Sequence, residues 1–432
     1  LFRSPDLAMP HKNLGIVSLL KGNYEEGWRE YDWRWLADNI RIRSHPKPIW
    51  RGENVGDQKI LIWAEQGAGD EILHASMLGD FVARGINVMW ECDPRLVALM
   101  QRSYPSIHVV ARRNPPDPVI EEVAANVPAG TIGNFVRRSA ADFPTRARYL
   151  ESDPARKEAF RKRVGLAPGE KLIGMSWLSK NLHFGASKST TLSQWSEILR
   201  IPGLRFVDLQ YGDTTEERER FKAAGGDLIH LDDLDLREDL DGLAALIDAC
   251  DAVVTVSNTT AHIAAALGKP TWILIASGIG KFWYWGYEGE KTLWYPSATL
   301  IRQELGEDWS RVLGVVKANA YGHGVMRVAR MLADAGVDGF ALLELDAAVR
   351  LREAGITQPL VLLEGFFEVG ELAVLAAHRI DTAVHCRDQV AMLRGAPAPL
   401  HVLMKLNTGM NRLGFVAHDA RAIWEELRAL PA

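Results

Sequence analysis

The chain has 432 residues, 47% of them hydrophobic and 24% charged, which is long enough for two to four domains and too apolar for extended disorder. The formal net charge is −5 and no Lys/Arg-rich block could neutralise a row of phosphates, so nucleic acid is not an expected partner. No apolar stretch of spanning length and no signal-peptide pattern occurs, and Cys92, Cys250 and Cys386 lack metal-ligand spacing, so we expect a cytoplasmic protein with no membrane span and no metal site.

Residues 1–45 are predicted to form a helical hairpin. Apolar residues recur at helical spacing on either side of Gly22-Asn23, with Leu14, Val17 and Leu20 before it and Trp28, Tyr31 and Trp35 after it. The pattern resembles part of one tetratricopeptide repeat, and an ordinary pair of helices is the alternative. Residue 1 is Leu and a helical pattern runs up to the last residue, so we expect both ends of the chain to be cut.

Residues 46–313 alternate short, fully apolar runs with helical runs. The predicted strands lie at 59–64, 87–91, 107–110, 171–177, 205–210, 228–231, 252–256 and 271–275. Strands this apolar are covered on both faces. We therefore predict two Rossmann-like parallel-sheet domains, 46–152 and 153–313, with helices predicted from Ile72, from Pro94 and over 153–164, the last connecting the domains.

The composition changes after about residue 310, because 13 of the 14 tryptophans lie at or before Trp309. Strands are predicted at 314–317, 339–345, 359–364, 382–385 and 401–407, each followed by a helix. This order predicts that residues 314–432 form five consecutive units of a (β/α)₈ barrel.

The loop of residues 65–71 joins a buried strand to a helix and contains Gly67 and Gly69, which let backbone N–H groups approach a ligand. Its pattern also allows a nicotinamide-binding loop with Glu91 on a ribose, although Ile72 stands where the third glycine belongs. A third interpretation is a tight turn in which Asp70 caps its helix.

A second polar loop, Ser257-Asn258-Thr259-Thr260, again joins a buried strand to a helix and is followed by His262 in the first helical turn. Small polar residues at a helix N-terminus are typical of an anion site. The alternative for His262 is a structural role, as a partly buried histidine whose ring is hydrogen-bonded within the protein.

Four stretches in the first 310 residues carry a family resemblance: 28–35, 64–71, 206–213 and 256–272. They resemble bacterial tetratricopeptide-repeat proteins with a glycosyltransferase-family-9-like, heptosyltransferase-related domain of the GT-B type. The resemblance implies a nucleotide-sugar donor between two lobes, with Asp70 as general base on an acceptor hydroxyl. It places the donor diphosphate at the 257–262 turn, where Asn258 stands in place of the Asp of heptosyltransferases, and Lys188, expected in a loop before a helix near Thr191, neutralises a phosphate.

Residues 314–432 resemble the N-terminal barrel of alanine racemase, at 315–324, 339–346, 363–367 and 405–415. The resemblance implies pyridoxal phosphate (PLP) carried by Lys317, with Tyr321 on its phosphate. Arg412 would contact the cofactor and the substrate carboxylate, and Lys405, carbamylated in many relatives, would orient Arg412. It also implies dimerisation. The base for the opposite face, the partner of the pyridine nitrogen and most of the phosphate loop are not among these residues, so we expect this segment to be inactive alone.

The sequence as a whole is expected to be a chimera joined near Gly314. Natural fusions rarely cut inside a core strand, so rearranged or misassembled DNA is the leading explanation. Three functions remain open at this point: a glycosyltransferase, an alanine racemase completed by a partner chain, and a non-catalytic repeat scaffold.

Overall fold

A computed structural model describes residues 7–37, 45–181, 185–195, 198–277, 282–303, 314–315, 325–334, 337–407 and 413–430. The chain divides into two compact units, 1–306 and 307–432. The join that we predict near Gly314 stays a prediction, as do the four domain boundaries. None of the helices in the described part of the chain has an apolar stretch long enough to cross a bilayer.

The first unit opens with the predicted hairpin, in which α1 (Ala8–Leu20) packs on α2 (Tyr24–Tyr31) and is followed by the short α3 (Arg34–Ala37). The turn falls at Gly22, whose φ of +82° favours glycine. The indole of Trp28 is fully buried, contacts Trp283 and Trp294 edge-on, and donates from Nε1 to the carbonyl of Arg137 at 2.7 Å. The Trp28 side of the hairpin is therefore covered by the rest of the same unit, whereas Val17, one of the predicted apolar positions, is 45% exposed.

The first lobe is a four-stranded parallel sheet in the order β3-β2-β1-β4, with helices between the strands. Its elements are β1 (Ile60–Trp63), α4 (Ala68–Ala75), α5 (Leu78–Ala83), β2 (Val88–Cys92), α6 (Val97–Ser103), β3 (His108–Ala111), β4 (Ala125–Pro128) and α7 (Gly133–Val136). The first predicted helix begins at Ala68 rather than at Ile72, because Gly67 already has the extended backbone of an N-cap.

The second lobe is a five-stranded parallel sheet in the order β6-β5-β7-β8-β9. Its elements are α8 (Pro154–Val164), β5 (Lys171–Ser176), α9 (Gly185–Lys188), β6 (Leu204–Asp208), α10 (Thr215–Ala223), α11 (Leu240–Ala249), β7 (Ala252–Val256), α12 (Thr259–Ala266), β8 (Thr271–Ile275) and β9 (Ala298–Arg302). The strand predicted at 228–231 is wrong, since only Ile229 makes a single bridge to Val207 there.

The connecting helix α8 forms where it was predicted. Asp153 is its N-cap and accepts from the N–H groups of Ala155 and Arg156, and Gly165 ends it in the left-handed conformation. Arg102 of the first lobe makes a bidentate ion pair with Asp241 of the second, at 2.7 and 3.0 Å. The hairpin and both lobes share one hydrophobic core, so they form one body.

The second unit is a five-stranded parallel sheet in consecutive order, as predicted for a partial barrel. Its elements are β10 (Gly314–Val315), α13 (Val325–Asp334), β11 (Phe340–Leu342), α14 (Leu345–Glu353), β12 (Leu360–Leu362), α15 (Val369–His378), β13 (Asp381–Val384), α16 (Arg387–Leu393), β14 (Val402–Met404) and α17 (Ala420–Arg428). Its core is separate from that of the first unit. The predicted fold class, a helical hairpin, two parallel-sheet lobes and a partial barrel, is confirmed.

Short 3₁₀ turns complete the description of both units. They lie at Pro94–Leu96, Pro118–Glu122, Ala129–Thr131, Ala140–Asp142, Leu192–Trp195, Ile198–Arg200, Trp283–Trp285 and Ala417–Asp419. The predicted helix near Thr191 is therefore only the 3₁₀ turn at Leu192–Trp195.

Candidate active site

A cleft of about 740 Å³ lies between the two lobes of the first unit, and both predicted loops line it. The predicted residues on its wall are Gly67, Gly69, Asp70, Lys188, Ser257, Asn258, Thr259 and His262. Each loop follows the carboxyl end of a central strand, β1 or β7, and leads into the first turn of a helix, α4 or α12. Since α4 packs on α12, the two positive helix ends converge at the cleft.

The two loops touch at Gly69 and His262. A Cβ atom on Gly69 would lie 3.0 Å from Cδ2 and 3.5 Å from Nε2 of the imidazole. A side chain at this position would therefore require the imidazole of His262 to shift by a few tenths of an ångström. Glycine serves close approach here and not an unusual backbone angle.

The polar side chains of the second loop mostly hold the loop itself. Asn258 is the N-cap of α12: its Oδ1 accepts from the N–H of Ala261 at 3.2 Å, and its Nδ2 donates to Ser176 Oγ at 2.8 Å and to a backbone carbonyl at 3.0 Å. Ser257 Oγ accepts from an indole at 2.9 Å, and Thr260 Oγ1, which is buried away from the cleft, donates to a carbonyl. What this turn presents to a ligand is therefore chiefly the N-terminus of α12 and Thr259.

His262 is 3% exposed, and its Nδ1 lies 2.7 Å from the hydroxyl oxygen of Tyr295. Burial, with a contribution from the charge of Lys188, lowers the pKa of His262 to about 3. The imidazole is therefore neutral at physiological pH. It can offer a hydrogen bond to a bound molecule but no positive charge for a phosphate.

Asp70 lies in the first turn of α4 and is half-buried in the cleft wall. Burial raises the pKa of Asp70 to about 6, against the opposing effects of a backbone hydrogen bond at Gly67 and of the charge of Lys188. A carboxyl group with a pKa in this range is ionised at neutral pH and accepts a proton readily, as a general base must. The capping interpretation is wrong, since the N-cap of α4 is Gly67 and no side chain caps this helix.

Lys188 is not in a loop, as the sequence suggested, but ends α9, and it is 5% exposed. Its ammonium nitrogen lies 4.5 Å from the centroid of the Phe282 ring. Burial lowers the pKa of Lys188 to about 8, while the charge of Asp70 opposes that shift. Among the described residues no carboxylate lies within ion-pair distance of this ammonium, so a buried cation in the cleft wall lacks a direct counter-charge.

Sequence reasoning missed several residues of the cleft, among them Arg95, Tyr211, Leu236, Leu240, Phe282 and Tyr284. The aromatic run at 282–285 was the available signal, since four aromatic residues follow a buried strand there. Three of its rings serve the site: Phe282 lies under Lys188, Tyr284 lines the cleft, and Trp285 donates to Ser257. Glu91, the ribose contact of the nicotinamide alternative, is fully buried within β2 and is not on the cleft wall, which contradicts that alternative.

The hairpin is attached directly to the first loop. Arg34 donates to both carboxylate oxygens of Glu65, at 2.8 and 3.0 Å, and Gln66 Nε2 donates to the hydroxyl of Tyr31 at 3.1 Å. Glu65 also accepts from the N–H of Gly130 at 2.5 Å. The hairpin thus fixes the residues that immediately precede Gly67.

In the second unit, Lys317, Tyr321 and Arg412 lie outside the described residues. Lys405 directly follows β14, where its N–H donates to the carbonyl of Val384 at 2.9 Å. In the chain, Lys317 follows β10 by two residues. Both lysines thus come after the carboxyl ends of parallel strands, the edge at which barrel enzymes carry their chemistry.

Comparison with known proteins finds a family match in the last third of the chain. Residues 298–432 match the family model described as alanine racemase, N-terminal domain, so the second part of the chain carries this domain. The match begins at β9, within the first unit. Alanine racemase of Nitrosospira multiformis is 54% identical over 125 residues, which are 28% of this chain and 34% of that enzyme.

Over a longer stretch the chain is similar to protein FlbA of Caulobacter vibrioides. The two are 33% identical over 340 residues, 73% of this chain and 56% of FlbA. The structure of E. coli ADP-heptose lps heptosyltransferase II superposes with a TM-score of 0.42 and 17% identity, over 64% of this chain and 98% of that one. The chain thus spans just over half of FlbA and about a third of the racemase.

Proposed function

We propose that the first unit is a glycosyltransferase that transfers a sugar from a nucleotide-sugar donor. The observation that carries this proposal is Lys188, a buried cation without a carboxylate partner among the described residues, facing a cleft into which two helix N-termini point. A diphosphate supplies the negative charge that this arrangement lacks.

The rest of the cleft divides into two regions of different chemistry. Leu236, Leu240 and Leu243 with Tyr211 form an apolar region on the second lobe, suited to a flat nucleobase. Asp70 lines the cleft from the first lobe, and Ser257 and Thr259 line it from the second. A donor with its base on the leucines and its diphosphate at Lys188 therefore has its sugar beside Asp70.

Asp70 takes the proton from the acceptor hydroxyl in this proposal. The acceptor oxygen then attacks the anomeric carbon, the bond from that carbon to the diphosphate oxygen breaks, and the nucleoside diphosphate leaves. Lys188 and the N-terminus of α12 stabilise the charge that develops on the leaving group. His262, being neutral, contributes only a hydrogen bond.

Calorimetric titration of the chain with UDP, ADP and GDP tests the proposal. At least one should bind, and Lys188→Met should weaken that binding at least tenfold. The matched control is Lys222→Met, which removes an exposed lysine of α10 that is not on the cleft wall. Absence of binding by all three nucleotides, or equal binding by the Lys188 variant, contradicts the proposal.

For the second unit we infer a PLP site, which the match to the racemase domain favours. Lys317 would hold the cofactor, with Tyr321 at its phosphate, and Arg412 would contact it while Lys405 orients Arg412. PLP supplies an electron sink for a carbanion next to an amino group when it is bound. The placement of Lys405 at the carboxyl end of β14 fits this arrangement. A visible absorbance band on adding PLP, lost in Lys317→Ala, tests the inference. Racemisation itself would need groups that are not among residues 314–432. For the first unit, a non-catalytic scaffold is the outcome if no nucleotide binds.

A further inference from the structure

Tyr284 carries a side-chain hydroxyl that the proposed reaction does not yet use. The residue is 6% exposed and lines both the cleft and the outer groove that Tyr287 also lines, and its contact with His262 places its ring beside the cleft. Its backbone carbonyl accepts from Thr292 Oγ1 at 2.7 Å, but its side-chain hydroxyl has no hydrogen-bond partner among the described residues. A hydroxyl that lines a cleft and has no partner in the protein is available to bond a ligand or water.

The ring of Tyr284 is held rigidly. It stacks on Phe282 with a centroid distance of 5.4 Å and an interplanar angle of 4°, and it meets the imidazole of His262 edge-on at 5.1 Å. Trp283 and Trp285 contact it from either side in the chain. The hydroxyl is therefore fixed in direction, which is what a specific contact to a ligand requires.

Tyr284 lies near both the proposed diphosphate site at Lys188 and the proposed base Asp70. Its neighbour Phe282 carries the ammonium of Lys188, at the proposed diphosphate site. Asp70 lines the same cleft. Burial, with a smaller contribution from the charge of Asp70, raises the pKa of Tyr284 well above its usual value, so the phenol stays protonated and remains a donor. The reacting sugar must lie between the leaving phosphate and the base.

Building on the proposed transferase function, we propose that the Tyr284 hydroxyl is a specificity contact that donates a hydrogen bond to a hydroxyl oxygen of the transferred sugar. It would therefore act on the sugar and not on the nucleotide. A neutral hydrogen bond of this kind changes affinity by roughly threefold to tenfold.

The experiment compares two affinities for each protein, measured by calorimetry with the full chain. One probe is the nucleoside diphosphate that binds best, and the others are commercial sugars of the same nucleotide. In the wild type at least one nucleotide sugar should bind more tightly than the bare diphosphate. Tyr284→Phe, which keeps the ring and its packing, should bind the diphosphate unchanged and lose most of the added affinity for that sugar.

Tyr287→Phe is the matched control, because this tyrosine lies in the same segment, is exposed, and lines an outer groove instead of the cleft. It should behave as the wild type with every probe. Equal loss of diphosphate and sugar affinity in Tyr284→Phe would show a role in nucleotide binding or packing and overturn the proposal. Sugar affinity that is unchanged in Tyr284→Phe overturns it too, as does a wild type to which no sugar binds more tightly than the bare diphosphate. In either case, loss of diphosphate binding in Lys188→Met would still support the transferase proposal.

Discussion

Arg34 Nη2 and Glu65 Oε1 lie 2.8 Å apart, in an ion pair whose side chains are 3% and 5% exposed. The pair joins the helical hairpin to the residue that follows β1 by two positions. Burial of both charges means that each depends on the other, and on the hydrogen bonds that Thr131 and Gly130 add. The hairpin is thus part of the structure that holds the cleft loop.

Arg34→Met is expected to destabilise the first unit by about 3–5 kcal/mol, because it leaves the Glu65 carboxylate buried without its cation. Denaturant unfolding followed by tryptophan fluorescence measures this unit, since Trp424 is the only tryptophan after Trp309. Arg29→Met, which removes an arginine with a 66% exposed side chain from the same hairpin, should change stability by less than about 0.5 kcal/mol. Adding Glu65→Gln to Arg34→Met should recover part of the lost stability. If it does not, lost packing and not the unpaired charge causes the destabilisation.

Activity of the first unit should depend on the ionisation of Asp70. Because the pKa of this carboxyl is raised to about 6, turnover should be level above pH 7 and fall about tenfold per pH unit below pH 5. The measurement is the pH profile of kcat/KM once a donor is known. Asp70→Asn should bind the nucleotide normally and turn over slowly at every pH. A profile with no acidic limb would exclude Asp70 as the base.

The same shift has a consequence for stability with a definite sign. A carboxyl group whose pKa is raised on folding favours the folded state below its unfolded pKa and loses this contribution as pH rises through about 6. Asp70→Asn should therefore raise the Tm at pH 8 and have little effect at pH 3. An equal change at both pH values would point to altered packing instead of ionisation.

Lys188→Met should make opposite changes in binding and stability. It removes a buried cation whose pKa is lowered to about 8, so the unfolding free energy at pH 7 should increase while nucleotide affinity falls. A charge-assisted hydrogen bond is worth about 1.5–3 kcal/mol, or roughly 10-fold to 150-fold in Kd. In the wild type, affinity should decline from pH 7 to pH 9 as the ammonium loses its proton. Constant affinity over this range would remove Lys188 from the diphosphate site.

The two units have separate cores, and residues 1–306 should therefore fold and bind nucleotide without residues 307–432. Expression of both lengths and comparison of Kd and of unfolding midpoints checks this. A shortened protein that is insoluble or binds more than threefold more weakly would show that the second unit supports the first.

The 432-residue chain is not expected to racemise alanine. Proton transfer on both faces of a planar carbanion needs two bases, and among residues 314–432 the racemase resemblance assigns only Lys317 to this role. Incubation with PLP and L-alanine, followed by an enzymatic assay for D-alanine, should give no more product than free PLP. Sustained production that disappears in Lys317→Ala would mean that another chain completes the site.

The positions of most strands could be predicted from sequence, because these strands are apolar runs. The strands missed, β4 and β9, contain or follow residues that disfavour a strand: Asn126 and Pro128 in one, and Pro296-Ser297 before the other. At 228–231 the apolar run was misleading, because it pairs with β6 through only one bridge and does not form a strand. Local pattern cannot show which of these runs finds a neighbour along its whole length.

The candidate site was predictable where a loop followed a buried strand, as with Asp70 and His262. The burial of Lys188 and its contact with Phe282 were not, because 94 residues separate them in the chain and only the fold brings them together. Likewise Asn258 looked like a ligand, whereas the structure uses both ends of its amide to hold the turn. Spacing in a sequence shows which polar groups are available but not which of them are already bonded.

The burial of Trp28 against Trp283 and Trp294 bears on how the chain is made. Trp28 leaves the ribosome more than 250 residues before either partner. At a synthesis rate of about 5–20 residues per second, the aromatic face of the hairpin stays without these two packing partners for roughly 10 to 50 s. During synthesis this face is therefore a natural substrate for a chaperone that binds nascent chains.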